Sequence, residues 1–181
     1  MPLILRNDDV TMSSNLDDIL KMYAIIREKL PNAEIRSSVT VFSKGNQGHV
    51  YPIEPMKHMP LSYLYDVDRA WVNYPNLGDK IVSHGLFHID HTKLSYSAME
   101  MSIVCSCRYL HTSAFTPPYG YENDMMNTIC KLHNIKLEHS YPLDGWKSIE
   151  FNKFDEKHEN WYFHSWRFTP KTFEKALEGN I

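Results

Sequence analysis

The sequence predicts an α/β fold built on parallel strands. Short apolar runs typical of buried strands alternate with longer runs in which apolar residues recur at helical spacing, as in a parallel sheet covered by helices. Polar side chains follow several of the strand-like runs, which is where such folds place their active sites. The 181 residues contain no internal repeat and no linker-like segment, so we expect one domain over residues 1–181.

Six strands are predicted from short apolar runs bounded by turn residues. They cover residues 3–7, 35–42, 80–83, 114–116, 137–140 and 161–168. Residues 43–61 contain three prolines and two glycines and are predicted to form a long loop.

Four helices are predicted between the strands. They cover residues 16–30, 96–111, 123–133 and 171–177. Asn15 and Ser95 stand where they can cap the first two helices, and Pro31 stops the first.

The composition excludes several classes of protein. The net charge is −3 and no run of five basic residues occurs, which argues against nucleic acid as a partner. No apolar stretch approaches the ~20 residues that span a membrane, and the N-terminus does not resemble a signal peptide, so we expect a cytoplasmic protein unless a leader was removed. The three cysteines have no disulfide-framework spacing, which fits a reducing compartment.

Two acidic residues and two histidines stand at the ends of two strand-like runs. Asp8 and Asp9 follow the first run, and His84 and His88 follow the run at 80–83. One carboxylate and two imidazoles can hold a catalytic divalent metal, which leaves the second carboxylate free as a base. Each pair alone is more often a turn or a surface pair, so their shared position at strand ends is what predicts a metal site.

Two further segments suit acyl-transfer chemistry. Residues 115–120 read Phe-Thr-Pro-Pro-Tyr-Gly, and this stiff strand exit can present a backbone N–H to a developing oxyanion, although a plain turn is the alternative. His164 alternates with Tyr162 and Trp166, so these three side chains are predicted on one strand face. A histidine among aromatic residues is either a general acid or a hydrogen-bonded core residue.

The order of these motifs resembles that of the NodB-type polysaccharide deacetylases, carbohydrate esterase family 4 (CE4). Asp-Asp after a strand is followed by His-x3-His, Pro-Pro-Tyr-Gly, Asp-Gly-Trp and a late histidine, from residue 8 to residue 164. The resemblance implies a distorted (β/α) barrel of about seven parallel strands. It also implies metal-dependent removal of an acetyl group from an N-acetylated sugar.

Carried over residue by residue, the resemblance gives each motif position a role. The ligands of a divalent metal, commonly zinc, would be Asp9, His84 and His88. Asp8 would take a proton from the metal-bound water, the Tyr119 backbone N–H would stabilise the oxyanion, and His164 would protonate the leaving amine. The substrate-binding residues would be Pro118, Asp144, Trp146 and Trp166.

Thr116 departs from the family pattern, because an arginine that supports the catalytic base usually stands there. Without that arginine, Asp8 would be poorly oriented. Arg6 is a candidate substitute, since residues i and i+2 of a strand lie on one face. The replacement predicts a divergent branch, and it bears on substrate class more than on metal binding.

The predicted reaction is therefore hydrolysis of the acetamide of an N-acetylated sugar or a related small amide. One alternative is a relative that binds carbohydrate without turnover, which the replacement of the family arginine by Thr116 suggests. Another is a different metal hydrolase, such as a phosphoesterase, with the same Asp/His/His site. The lack of a glycine-rich phosphate loop or a basic cluster near the motifs argues against this last class. The oligomeric state is left open.

Overall fold

Seven parallel strands form a curled half-barrel sheet with helices packed on its outer face. The computed structural model describes residues 3–11, 14–41, 77–138 and 145–179. The strands are β1 (Ile4–Val10), β2 (Glu34–Val39), β3 (Lys80–Ser83), β4 (Ala114–Phe115), β5 (Lys136–Leu137), β6 (Lys147–Ser148) and β7 (Asn160–Phe163). Their order is β5-β4-β3-β2-β1-β7-β6, and all neighbours are parallel. The predicted fold class is confirmed.

Four α-helices lie within the described residues, and each begins at a side-chain cap. They are α1 (Leu16–Lys29), α2 (Tyr96–Tyr109), α3 (Asp124–Leu132) and α4 (Pro170–Leu177). Asn15 and Ser95 accept hydrogen bonds from backbone N–H groups in the first turns of α1 and α2, so both predicted caps are confirmed. Asn123 caps α3 rather than beginning it. Within the described ranges, none of the helices is long and apolar enough to cross a bilayer.

The strand predicted at residues 161–168 is too long. β7 ends at Phe163, and Ser165–Arg167 forms a short 3-10 helix. The chain turns there because the Arg167 N–H donates to the His164 carbonyl at 2.9 Å. Trp166 therefore does not continue the strand face that carries Tyr162 and His164, and the alternation predicted through it is wrong.

Three other differences concern the strands: β1 continues to Val10, β2 ends at Val39 rather than at residue 42, and β6 is an additional strand. β6 has two residues, too few to show any periodicity, and it was not predicted. Residue 42, residues 139–140 and the loop predicted at 43–61 lie outside the described residues.

The two faces of the sheet differ in polarity. The outer face packs against the helices through fully buried residues such as Leu5, Ile35, Phe115 and Trp161. The inner face carries buried polar residues, including Arg6 and its cross-strand partner Arg36. The apolar core therefore lies between the sheet and the helices, and the polar side chains lie on the concave face of the sheet.

An ion pair joins β2 to the segment after β5 across the concave face of the sheet. The Arg36 guanidinium donates to the Glu138 carboxylate at 2.7 Å, and both side chains are buried. Arg36 lies on β2 and Glu138 follows β5, with β3 and β4 between them. Strands lie about 4.8 Å apart, so β2 and β5 would be about 14 Å apart in a flat sheet. A contact between side chains of these two strands fits a sheet that curls toward its concave face.

His91 anchors the loop that follows β3. Its ring is fully buried, and its Nδ1 is 2.9 Å from the Ile89 carbonyl. Its Nε2 is 2.9 Å from the Ser102 hydroxyl of α2, which also accepts from the Leu86 N–H. This arrangement suits a neutral ring that donates from Nδ1 and accepts at Nε2. Burial accordingly lowers the pKa of His91 from 6.5 to about 4.

The first prediction concerns His91 and acid stability. Because the folded-state pKa lies below the unfolded value, the unfolded chain binds more protons between pH 6.5 and pH 4, and stability is lost as pH falls through that window. Between pH 7 and pH 5 this single group is expected to remove about 2 kcal/mol of unfolding free energy. The variant His91→Gln lacks this loss. Urea unfolding of both proteins at the two pH values measures the difference, and an identical pH dependence would contradict the prediction.

Candidate active site

The end of β1 directs two adjacent carboxylates to one side of the sheet. Neighbouring residues of a regular strand point to opposite faces. Here Asn7 pairs with Ser37 and Val10 pairs with Val39, so β1 contains one extra residue, a β-bulge. Asp9 takes a left-handed conformation, with φ of 59°. The bulge and this conformation let Asp8 and Asp9 both face the concave side.

Asp9, His84 and His88 converge in the way that a metal ion requires. Their ligand atoms all lie within 4.8 Å of one another. The Asp9 Oδ1 is 3.2 Å from the His84 Nε2 and 2.8 Å from the His88 Nε2. Burial by itself raises the pKa of Asp9, but its hydrogen bonds with His84 and His88 hold that pKa well below the usual value. Asp9 is therefore ionised at neutral pH.

The orientation of His84 fits a cation at this point. Its Nδ1 lies 2.8 Å from the backbone carbonyl of Thr116, an acceptor, so Nδ1 carries a proton. In the neutral ring the lone pair is then on Nε2 and faces the carboxylate oxygen of Asp9. Two lone pairs repel unless a proton or a metal ion lies between them. This second hydrogen bond is also the kind that orients metal-binding histidines.

Gly85 allows the turn between the two histidines. Its φ is 90°, in the region that favours glycine, and an added Cβ would lie 2.7 Å from the His91 ring. The hydrogen bonds of His91 fix the loop, and Gly85 permits its turn, so the loop brings His88 next to His84. The His88 Nδ1 is buried and has no partner among the described residues.

Arg6 supports Asp8 from the same strand. Its Nε and one terminal nitrogen donate to the two carboxylate oxygens of Asp8 at 2.7 and 3.0 Å, a bidentate pair. The Arg6 side chain is fully buried, and its guanidinium carbon lies 4.2 Å from the centre of the Trp146 ring. Arg6 thus makes the contact expected if it substitutes for the missing arginine at Thr116.

His164 faces Asp9 from the opposite side of β1. Its Nε2 is 3.5 Å from the Asp9 Oδ2, and its Nδ1 is 2.7 Å from the Glu150 Oε1. Burial lowers the pKa of His164, but the hydrogen bond to Glu150 and the negative charges of Asp9, Glu150 and Asp8 raise it above the usual value overall. Sequence reasoning missed Glu150, which follows a two-residue strand and belongs to no recognisable motif.

The remaining predicted residues are distributed around this centre. Tyr119 is partly exposed, has φ of 60°, and places its ring edge-on to His88 at 4.6 Å between ring centres. Pro118 is buried beside it. The Trp166 ring centre is 5.4 Å from that of His164. Trp146 is buried under Arg6 rather than open to the cleft. Asp144 lies outside the described residues.

Comparisons with solved structures identify the fold. The peptidoglycan deacetylase PdaC from Bacillus subtilis matches with a TM-score of 0.59 at 13% identity, over 98% of this chain and 82% of that one. A family 4 carbohydrate esterase from Streptomyces lividans matches with a TM-score of 0.59 at 12% identity, over 98% of this chain and 86% of that one. The NodB-type fold expected from the motifs is confirmed.

A CE4 family pseudoenzyme is also among the structural neighbours. This protein, from Bacillus anthracis, matches with a TM-score of 0.60 at 9% identity, over 97% of this chain and 58% of that one. No protein-family model and no curated protein matches the sequence. At these identities the likeness establishes the fold, and activity must be argued from the site.

The second prediction concerns metal binding. Removal of an outer-shell partner typically costs 10–100-fold in metal affinity, so removal of a ligand in Asp9→Asn or His84→Gln is expected to weaken Zn²⁺ binding by more than about 100-fold. Titration calorimetry on chelator-treated protein measures this. The control is His111→Asn, which removes an exposed histidine whose φ of 49° asparagine tolerates. Equal affinity in all four proteins would contradict the assignment.

Proposed function

We propose that this chain is a metal-dependent deacetylase of the CE4 type that hydrolyses the acetamide group of an N-acetylated sugar. One observation carries the proposal. The Asp9/His84/His88 cluster is flanked by two separately supported proton-transfer groups, Asp8 held by Arg6 and His164 held by Glu150. Amide hydrolysis needs these three parts together, and a site that only bound a metal would need one.

The Asp/His/His set suits a divalent metal such as zinc, because it supplies one carboxylate oxygen and two imidazole nitrogens and leaves coordination positions open. Such an ion, when bound, would polarise the substrate carbonyl and lower the pKa of water to about 7. Asp8 is the proposed base that accepts a proton from the attacking water. Arg6 fixes both oxygens of that carboxylate, so its orientation toward the water does not depend on a loop.

His164 is the proposed acid. An amine leaves an amide only when it is protonated, so the second half of the reaction needs a donor near the leaving nitrogen. The Nδ1 of His164 is occupied by Glu150, which directs Nε2 toward the cluster. In the proposed reaction, this Nε2 donates its proton to the amine.

Tyr119 is proposed to contribute through its backbone. Its N–H belongs to the first turn of a 3-10 helix, Pro118–Gly120, where an N–H has no acceptor within the helix. Such an N–H can donate to the oxyanion as charge develops on it. The left-handed conformation of Tyr119 is a strain of the kind found at active sites.

A non-catalytic sugar-binding protein is the second candidate. Thr116 favours it, because this chain lacks the arginine that the motif order leads one to expect, and a pseudoenzyme shares the fold. The bidentate Arg6–Asp8 pair counts against this candidate, since it supplies the missing support from another strand. The two functions differ in whether acetate is released.

The third prediction tests the base. Metal-loaded protein is expected to release acetate from an N-acetylglucosamine oligomer, and Asp8→Asn is expected to lower the rate by 10²–10⁴-fold, because a carboxamide cannot accept the proton. Zn²⁺ affinity should be retained. The control, Asp17→Asn, alters an exposed carboxylate in the first turn of α1. Sugar binding without acetate release by the wild-type protein would favour the non-catalytic alternative.

The fourth prediction separates the acid from the base. His164→Ala is expected to lower hydrolysis of the sugar acetamide by 10²–10⁴-fold. It should change hydrolysis of 4-nitrophenyl acetate by less than about 10-fold, since nitrophenolate leaves without a proton. Asp8→Asn should slow both substrates. Equal losses on amide and ester in His164→Ala would show that His164 is not the acid.

A further inference from the structure

Just after β7, two consecutive backbone N–H groups donate hydrogen bonds to side chains from other parts of the fold. The His164 N–H donates to the Glu150 Oε1 at 2.8 Å. The Ser165 N–H donates to the Asn7 Oδ1 at 3.0 Å. Buried N–H groups need acceptors, and at this strand exit side chains provide them instead of the sheet.

Glu150 fixes both the backbone and the ring of His164. The same oxygen, Oε1, accepts from the His164 N–H and lies 2.7 Å from Nδ1. The Glu150 side chain is 5% exposed, and its Oε2 lies 3.2 Å from the Nε of Arg167. One buried carboxylate therefore constrains where His164 starts and which way its ring points.

Asn7 is an unexpected residue at its position. It lies on the outer, apolar face of β1, between Arg6 and Asp8 in the chain, and it is fully buried. A buried carboxamide destabilises the fold unless its hydrogen bonds are made. The Asn7 Nδ2 donates to the Tyr23 hydroxyl at 3.1 Å, and that hydroxyl is 2.5 Å from the Ser37 Oγ.

The Tyr23 hydroxyl does not require Asn7. Ser37 already gives it a buried partner, so an apolar residue at position 7 would leave Tyr23 bonded. What an apolar residue could not do is accept from the Ser165 N–H. The contact that is specific to asparagine is thus the one that ties the exit of β7 to β1.

We propose that Asn7 is a positioning residue that clamps the β7 exit, beside the Glu150–His164 contact already described, and so holds His164 at a fixed place relative to Asp8. This inference rests on the proposed function, because it gives His164 its role as acid. Asn7 precedes Asp8 directly, so one strand carries the base and also anchors the acid. A misplacement of about 1 Å in such a pair can cost about 10²-fold in rate.

Two measurements on four variants of the full chain test the clamp. Asn7→Leu keeps the side-chain size and removes the acceptor, and Glu150→Ala removes the carboxylate. Glu150→Gln retains an oxygen that accepts both N–H groups, and Tyr23→Phe removes a hydrogen bond from the same network without touching Ser165. The rate of amide hydrogen exchange at residues 164 and 165 measures directly whether these N–H groups stay hydrogen-bonded. The ratio of the acetamide to the 4-nitrophenyl acetate hydrolysis rate measures the effect on His164 as the acid.

The expected results differ between the variants. In Asn7→Leu the Ser165 amide should exchange at least 10-fold faster relative to the amides of α1, and the amide-to-ester ratio should fall by about 10²-fold. Glu150→Ala should do the same at His164, and Glu150→Gln should restore the protection. Tyr23→Phe should lower stability and leave both readouts unchanged.

Three outcomes would overturn the inference. One is unchanged exchange at Ser165 in Asn7→Leu, and another is an unchanged amide-to-ester ratio in that variant. The third is an equal fall of the ratio in Tyr23→Phe, which would reduce the effect to general destabilisation. If the wild-type protein releases no acetate, the proposed function has failed and the catalytic part of the inference falls with it. Hydrogen exchange still decides whether Asn7 and Glu150 hold the β7 exit.

Discussion

The break in register at the end of β1 is the constraint on which the site depends. Two adjacent residues of a strand cannot face the same side unless the strand is interrupted, and the bulge between Asn7 and Val10 provides the interruption. The left-handed conformation of Asp9 costs of order 1–3 kcal/mol. It persists because β1 is paired with β2 on one side and β7 on the other, so the surrounding ladders fix the backbone up to the bulge.

The site also has to accommodate several negative charges in a buried place. Asp8, Asp9 and Glu150 lie around one centre, and each has a cationic or imidazole partner: Arg6, the pair His84 and His88, and His164. Removal of one member of a buried ion pair typically costs 3–5 kcal/mol. Arg6 is therefore tied to stability as well as to the orientation of Asp8, and loss of activity in an Arg6 variant has meaning only beside a measurement of its folding.

The sequence was sufficient to predict the helices, whose apolar residues recur at regular spacing, and the polar residues that follow strands. Helical spacing located the four helices that the described residues contain, and polar residues after apolar runs located Asp8, Asp9, His84 and His88. Elements without a recurring apolar pattern were missed or misjudged. β6 has only two residues, and the segment after β7 was predicted as strand because His164 and Trp166 continue the alternation of the strand. Glu150 and Asn7 could not be predicted as partners of the His164 exit, since these contacts span 14 and 158 residues of chain. Such pairings become visible only when the sheet order is known.

Thr116 shows why a missing motif residue is weak evidence for a lost activity. Its backbone carbonyl accepts from His84, a contact that any residue with the same backbone would make. Its hydroxyl is buried without a hydrogen-bond partner among the described residues. The support of Asp8 comes instead from Arg6, two residues earlier on the same strand. A carboxylate is oriented by a cation at a suitable distance and angle, and the strand from which that cation comes makes no difference. The geometry of the contact, rather than the position of an arginine in the chain, therefore determines whether Asp8 can act as the base.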